Sequence, residues 1–272
     1  MDIFGFDAFA PAQIIAKVET VGVSKARLPL RSMLMLSVLA GAFIGLGALY
    51  YVLVRSDATL GFATRQVLGG AVFSLGLLMV VVAGAELFTG NNLLVMAWAA
   101  NMIGTRELLR SWLIVFFGNF VGAAGLACLV VLSNHPAMNQ GAVAAQYLQI
   151  AAAKTALPFI DAFFSGVLCN ALVCVAIWMA IAGRSVTDKA VAILFPVSAF
   201  VAAGFEHSVA NMYLIPVALL LQASGDGGAA APVLWSGFLS NMLPVVLGNV
   251  VGGAVFVGVV FHVIYRRSAP PT

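Results

Sequence analysis

The strongest constraint on this chain is the length of its uncharged runs. Between Arg31 and Arg55 lie 23 consecutive residues without a formal charge, and between Arg110 and Lys154 lie 43. An α-helix needs about 20 apolar residues to cross a hydrocarbon layer about 30 Å thick. Only 8% of the 272 residues are charged and 62% are apolar. A soluble domain carries about a quarter charged residues, and so few charges cannot cover the surface that remains exposed after folding. A water-soluble enzyme is therefore excluded.

The charges locate six spans. The first runs from Arg31 to Arg55. The second lies between Arg65 and Arg106 and is interrupted by Glu86. The third covers about 111–132, ending at the polar pause Ser133-Asn134-His135-Pro136. The fourth lies between Asp161 and Arg184. The fifth lies between Lys189 and Asp226 and is interrupted by Glu206-His207. The sixth lies between Asp226 and Arg266, after the turn-rich Ser224-Gly225-Asp226-Gly227-Gly228. That turn lacks the lysine and strand context of a phosphate loop.

If six helices cross, ten of the 13 basic residues fall on one side: Lys17, Lys25, Arg27, Arg31, Arg106, Arg110, Arg184, Lys189, Arg266 and Arg267. Arg55, Arg65 and Lys154 fall on the other. This bias places both termini in the cytoplasm. Residues 1–31 read as a cytoplasmic N-terminal segment, amphipathic over 8–28, that anchors at the membrane surface or gates. Residues 32–264 read as one transmembrane domain, and 265–272 as a cytoplasmic tail.

The net charge of +3 comes with no basic run that tracks a phosphate backbone, so no nucleic-acid partner is expected. Cys128, Cys169 and Cys174 lack metal-ligand spacing and read as packing residues. The opening Met1-Asp2-Ile3 lacks a basic stretch, so no cleavable signal peptide is expected. No cofactor or metal is indicated.

The two halves repeat in order, as about 32–133 and 157–264. Gly84-Ala85-Glu86-Leu87-Phe88-Thr89-Gly90-Asn91 and Gly204-Phe205-Glu206-His207-Ser208-Val209-Ala210-Asn211 share G-x-E-x-x-x-x-N at an offset of 120. Gly118-Asn119 matches Gly248-Asn249 at 130, and Gly41 matches Gly166 at 125. With three crossings per half, the second copy enters from the opposite side, giving an inverted 3+3 repeat with spans 2 and 5 broken at the motif. Such repeats place a transport site near the midplane, where paired helices break.

Carboxylates at that depth need partners. Glu86 and Glu206 read as caps that hold the breaks, satisfied by freed backbone N–H groups. His207, the one histidine deep in a span, is either a hydrogen-bonded core residue or a donor to a small anion in a pathway. Thr89 offers a hydroxyl to the same region or bonds back to its own helix. Asn170 must point inward, to a structural partner or to the pathway. Lys154 either snorkels to the interface or attracts anions into a vestibule. Phe73 and Leu77, four apart, are packing residues or an apolar ring that excludes hydrated ions.

Gly84–Gly90, the stretch Leu168-Cys169-Asn170-Ala171-Leu172-Val173-Cys174-Val175-Ala176, and Gly204–Met212 resemble three signatures of the formate/nitrite transporter family. The resemblance covers essentially the whole chain. It implies an all-α, aquaporin-like protomer of six helices, assembled as a homopentamer with one pore per protomer. It assigns His207 as the pore histidine, Thr89 as its partner, Lys154 as the anion attractor, Asn170 as a pore-lining hydrogen bonder, and Glu206 as the residue that orients the site. Phe73, Leu77, Leu87, Phe88, Val173 and Phe200 become apolar constrictions on either side of His207. The N-terminal stretch and Gly183–Lys189 are closer to formate-transporting members than to nitrite ones.

The expected function is thus a passive or proton-coupled channel for a small weak-acid anion in the inner membrane. Formate is the first candidate and nitrite or hydrosulfide the alternative. A neutral-solute channel lacks its paired Asn-Pro-Ala motifs here. Glu206, His207 and Ser208, consecutive along a helix, cannot converge as a catalytic triad.

Overall fold

The computed structural model describes residues 9–225 and 232–267, and all regular structure among them is helical. The Asp226-Gly227-Gly228 part of the expected turn, and the tail beyond residue 267, lie outside the described residues.

Helix α1 (Pro11–Ala26) buries Ile14, Ile15, Val18, Gly22 and Ala26 against the rest of the molecule. The expected first span is α2 (Leu30–Arg55). The second begins as α3 (Phe62–Ala83), followed after an irregular stretch by a 3₁₀ turn at Gly90–Leu93 and the short α4 (Leu94–Ala99). The third is α5 (Thr105–Leu132), which starts six residues before the expected 111. The sequence signals no helix next, yet α6 (Ala142–Thr155) follows and carries Lys154 near its end. The expected fourth span is α7 (Phe159–Ala182), and the stretch expected as the fifth holds α8 (Val186–Ala202) and α9 (Ser208–Ala223). The last comprises α10 (Trp235–Val250), a π-helical stretch Val251–Val259, and α11 (Val260–Arg267).

Among the described residues, five helical runs are long and apolar enough to cross a membrane: α2, α3, α5, α7 and Trp235–Tyr265. The two interruptions are unequal. Helix α3 is long enough alone, and Glu86 lies beyond its end, whereas α8 and α9 are comparable pieces.

Helix α2 packs along α3 and α5, and α7 packs along α8 and α10. Glycine permits this approach. A Cβ on Gly122 of α5 would overlap the Val38 carbonyl of α2, and one on Gly252 would overlap the Val167 carbonyl of α7. Small residues at helix contacts are how apolar helices approach closely where lipid removes any hydrophobic drive between them. The outer face is the reverse of a soluble one. Leu113, Phe117, Val121 and Leu129 form an exposed stripe at four- and eight-residue spacing on α5. Of the cysteines, Cys169 and Cys174 are buried, Cys128 is exposed, and all three are free.

Candidate functional site

The chain leaves α3 through Gly84 at φ 75° and leaves α8 through Gly204, also at φ 75°. This left-handed conformation favours glycine, and it lets Ala85 N–H bond Val80 O (2.9 Å) and Phe205 N–H bond Phe200 O (3.0 Å). Each irregular segment is then held by one asparagine. Asn119 accepts from Phe88 N–H (2.8 Å) and donates to Glu86 O and Ser37 O (both 2.8 Å). Asn249 accepts from Ser208 N–H (3.0 Å) and donates to Glu206 O (3.0 Å) and Gly166 O (2.9 Å). In this way two side chains satisfy the backbone groups freed by leaving the helix.

The carboxylates are mirrored too. Lys25 Nζ donates to Glu86 Oε1 (2.9 Å) and Asn91 Nδ2 to Glu86 Oε2 (2.7 Å). Lys154 Nζ donates to Glu206 Oε1 (2.7 Å) and Asn211 Nδ2 to Glu206 Oε2 (2.7 Å). The expectation that freed backbone N–H groups satisfy these carboxylates is therefore corrected: a lysine and an asparagine side chain do so. An ammonium brings a full opposite charge, which a buried carboxylate needs more than a neutral donor. Lys154 does not snorkel away; only 16% of its side chain is exposed.

Between the two ion pairs sits the central contact. His207 Nε2 lies 3.1 Å from Thr89 Oγ1, and both residues are buried. Thr89 thus bonds across the molecule instead of back to its own helix. His207 Nδ1 accepts from Ala210 N–H at 3.1 Å, capping α9. A ring that accepts at Nδ1 carries its proton on Nε2 when neutral, so that proton points to the Thr89 oxygen. Asn170 Nδ2 donates to Asn249 O (2.6 Å), Thr89 O (3.2 Å) and Asn92 Oδ1 (3.2 Å). Its Oδ1 is buried with no hydrogen-bond partner among the described residues.

Phe200 stacks on the His207 ring at 5.9 Å between centroids, and Phe73 meets Phe200 edge-on, also at 5.9 Å. A cavity of about 50 Å³ on the α6 side is lined by Phe73, Phe200, His207 and Lys154. A larger one, about 340 Å³, opens on the α1 side and is lined by Lys17, Lys25, Lys189, Leu87 and Asn91. Burial, and then the charges of Arg184 and Lys189, lower the Lys17 pKa below the ordinary lysine value, which marks that mouth as electropositive. Leu77, Phe88 and Val173 are buried but line neither cavity; Phe88 packs edge-on against Trp112 and Phe116.

Sequence reasoning missed Lys25, and it gave Asn91, Asn211, Asn119 and Asn249 no role. The repeat offsets carried a signal for the asparagines, since all four stand in matched motifs. Lys25 reads only as one of several terminal charges.

The formate/nitrite transporter family model matches residues 12–263. The formate channel FocA of Escherichia coli K12 is 38% identical over 97% of this chain and 96% of its own. The formate channel FocA of Haemophilus influenzae is 36% identical over 93% of each. Among solved structures, a pentameric formate channel with formate bound superposes with TM-score 0.81 at 35% identity, covering 87% of this chain and 98% of that one. An ion channel of the same family gives 0.82 at 32%, covering 95% and 99%. These likenesses, with several helices able to cross a bilayer, make this a multi-pass membrane protein of a transport family and not an enzyme. With the family model spanning nearly the whole chain and relatives more than 30% identical end to end, the chain belongs to the formate/nitrite transporter family.

Proposed function

We propose that this protein is a formate channel of the inner membrane, with the central His207–Thr89 pair at the midpoint of its pathway. Six crossings form an inverted 3+3 repeat of residues about 32–133 and 157–264. Residues 1–31 and 265–272 are cytoplasmic, so the larger cavity faces the cytoplasm and the smaller one faces outward. The observation that carries the reading is the pair of mirrored Lys–Glu–Asn clusters flanking one buried histidine–threonine contact. Helices α8 and α9, with 17 and 16 residues, each span about 25 Å, less than a hydrocarbon layer, so together they make one broken crossing. Assembly as a homopentamer is supported by the fold shared with a pentameric formate channel.

The mechanism follows from the donors. Lys154 spends one N–H on Glu206, leaving the others for an arriving anion in the outer cavity. A bare anion cannot pass Phe73, Phe200 and the buried Leu77, Leu87, Phe88 and Val173 without losing its hydration. A weak acid avoids that cost by crossing protonated. The Nδ1 of His207 already faces a backbone N–H, so giving up the Nε2 proton would leave an anionic ring. His207 therefore acts as a fixed hydrogen-bond donor, and the proton enters with the substrate. Because His207 donates to Thr89 Oγ1, the Thr89 hydrogen is free for a carboxyl oxygen, and Asn170 Oδ1 can accept from the acid hydroxyl. Glu206 positions Lys154, and no cofactor takes part. Nitrite and hydrosulfide are the competing substrates, being weak-acid anions of similar size.

The test is uptake of labelled formate by proteoliposomes at two pH values, with nitrite and hydrosulfide as competitors. Formate uptake that rises as pH falls supports the reading. Uptake of nitrite or hydrosulfide without formate would replace the substrate, and pH-independent formate flux would overturn passage as the neutral acid.

A further inference from the structure

The two lysine–carboxylate clusters are held differently, and one residue of α10 accounts for the difference. Lys25 and Lys154 each stand one place before the end of a helix, α1 and α6, and each backbone carbonyl accepts from the N–H three residues on, of Leu28 or Leu157, at 3.3 Å. Lys25 Nζ spends two donors, on Glu86 Oε1 and on Asn91 Oδ1 at 3.2 Å. Lys154 Nζ spends one, on Glu206 Oε1, and Asn211 Oδ1 is buried with no hydrogen-bond partner among the described residues.

The offset of 130 that relates Asn119 to Asn249 also relates Ser111 to Asn241. Asn91 Nδ2 reaches the Ser111 hydroxyl at only 3.5 Å. Asn211 Nδ2 instead donates to Asn241 Oδ1 at 2.8 Å, besides its bond to Glu206 Oε2. The buried Asn241 in turn donates from Nδ2 to Lys154 O at 2.9 Å and, at 3.4 Å, to Glu206 Oε2. A carbonyl and a carboxylate only accept, so neither amide can be reversed. Gly237, one turn earlier on the same face of α10, admits the end of α6: a Cβ there would stand 3.0 Å from Thr155 Cβ.

We propose that Asn241 is a positioning residue for anions entering from the α6 side. It anchors the Lys154 backbone and keeps the Asn211 oxygen off the Lys154 ammonium, so that two of the three N–H groups stay available to an anion. This rests on the formate-channel reading above, in which Lys154 meets the substrate. A serine at position 241 copies the Ser111 arrangement: the Asn211 amide is released to accept from Lys154 as Asn91 accepts from Lys25, and one available N–H is lost.

The experiment measures KM for labelled formate in each direction across oriented vesicles holding the parent protein, Asn241→Ser or Asn241→Ala. In the variants KM for entry from the α6 side rises about three- to tenfold, the range of one hydrogen bond, while KM for entry from the α1 side keeps the parent value. Should Asn241→Ser fail to assemble, Asn241→Ala carries the same comparison, because it too releases Asn211 and the Lys154 carbonyl. Lower Vmax in both directions with both KM values unchanged would mean that Asn241 only supports the fold, and overturns the assignment. Equal rises of the two KM values overturn it as well. A parent protein that takes up no formate overturns the underlying reading, and the assignment with it.

Discussion

At the scale of single residues, the site is two buried carboxylates, each neutralised by a lysine, around one uncharged donor pair. Removing one partner of a buried ion pair leaves the other charge uncompensated and costs about 3–5 kcal/mol. Lys154→Ala should therefore lower the thermal midpoint of the purified protein markedly. Glu206→Gln added to it should recover much of the loss, because the stranded charge is gone; losses that simply add would show that the pair is not coupled. Thr89→Val keeps the shape but removes the hydroxyl, and should slow formate uptake about tenfold, the worth of one hydrogen bond to a charged or strongly polar group. Glu206, His207 and Thr89 were legible because a polar side chain inside an apolar run has few reasons to be there. Lys25 was not, since its partner Glu86 stands 61 residues away and nothing local distinguishes it from its basic neighbours.

At the scale of elements, the gaps between charges gave the long helices within a few residues, because a hydrocarbon solvent demands length and permits few polar groups. Two features escaped that reading. Helix α6 is short and follows Asn139 and Gln140, both at positive φ, which no apolar pattern announces. The π-helical stretch Val251–Val259 is a change of register and not of composition, and it begins just after Asn249, whose carbonyl accepts from Asn170. The turns that end α3 and α8 were legible through their repeated glycine. At Gly84 and Gly204 an added Cβ would meet nothing within 4 Å, so alanine there costs backbone strain only, about 1–2 kcal/mol. Equal drops in thermal midpoint for Gly84→Ala and Gly204→Ala would support matched turns. Helix α8 adds a pH-dependent term. Asp188 accepts from the backbone N–H groups of Ser185 and Arg184, and these bonds, with the Ser185 hydroxyl, hold its carboxyl below the ordinary carboxylate value. Its contribution is present above about pH 3.9, and is lost as pH falls through the depressed native value. Asp188→Asn should therefore lower the thermal midpoint at pH 7, with the difference from the parent shrinking toward pH 3.

At the scale of the whole molecule, the recurring motif residues are more symmetric than the centre they flank. Glycine, glutamate and asparagine recur at an offset of 120, but that offset pairs His207 with Leu87 and Thr89 with Val209. Each half therefore contributes one of the two polar groups that meet, together with an apolar residue at the other's position. The cavities differ as well, about 340 against 50 Å³, so the two mouths need not bind substrate equally. A passive conduit is nevertheless constrained by detailed balance. At equal pH and zero membrane potential, Vmax/KM must be the same in both directions, whatever the asymmetry of its ends. Lys25→Ala should then raise KM chiefly for entry from the α1 side, and Lys154→Ala chiefly for entry from the α6 side, each by about tenfold at low salt and less at high salt. In both variants the two Vmax/KM values fall together. Oriented vesicles loaded or bathed with labelled formate measure both directions. A variant whose inward and outward Vmax/KM diverge under those conditions would show that flux is driven by something other than the formate and proton gradients.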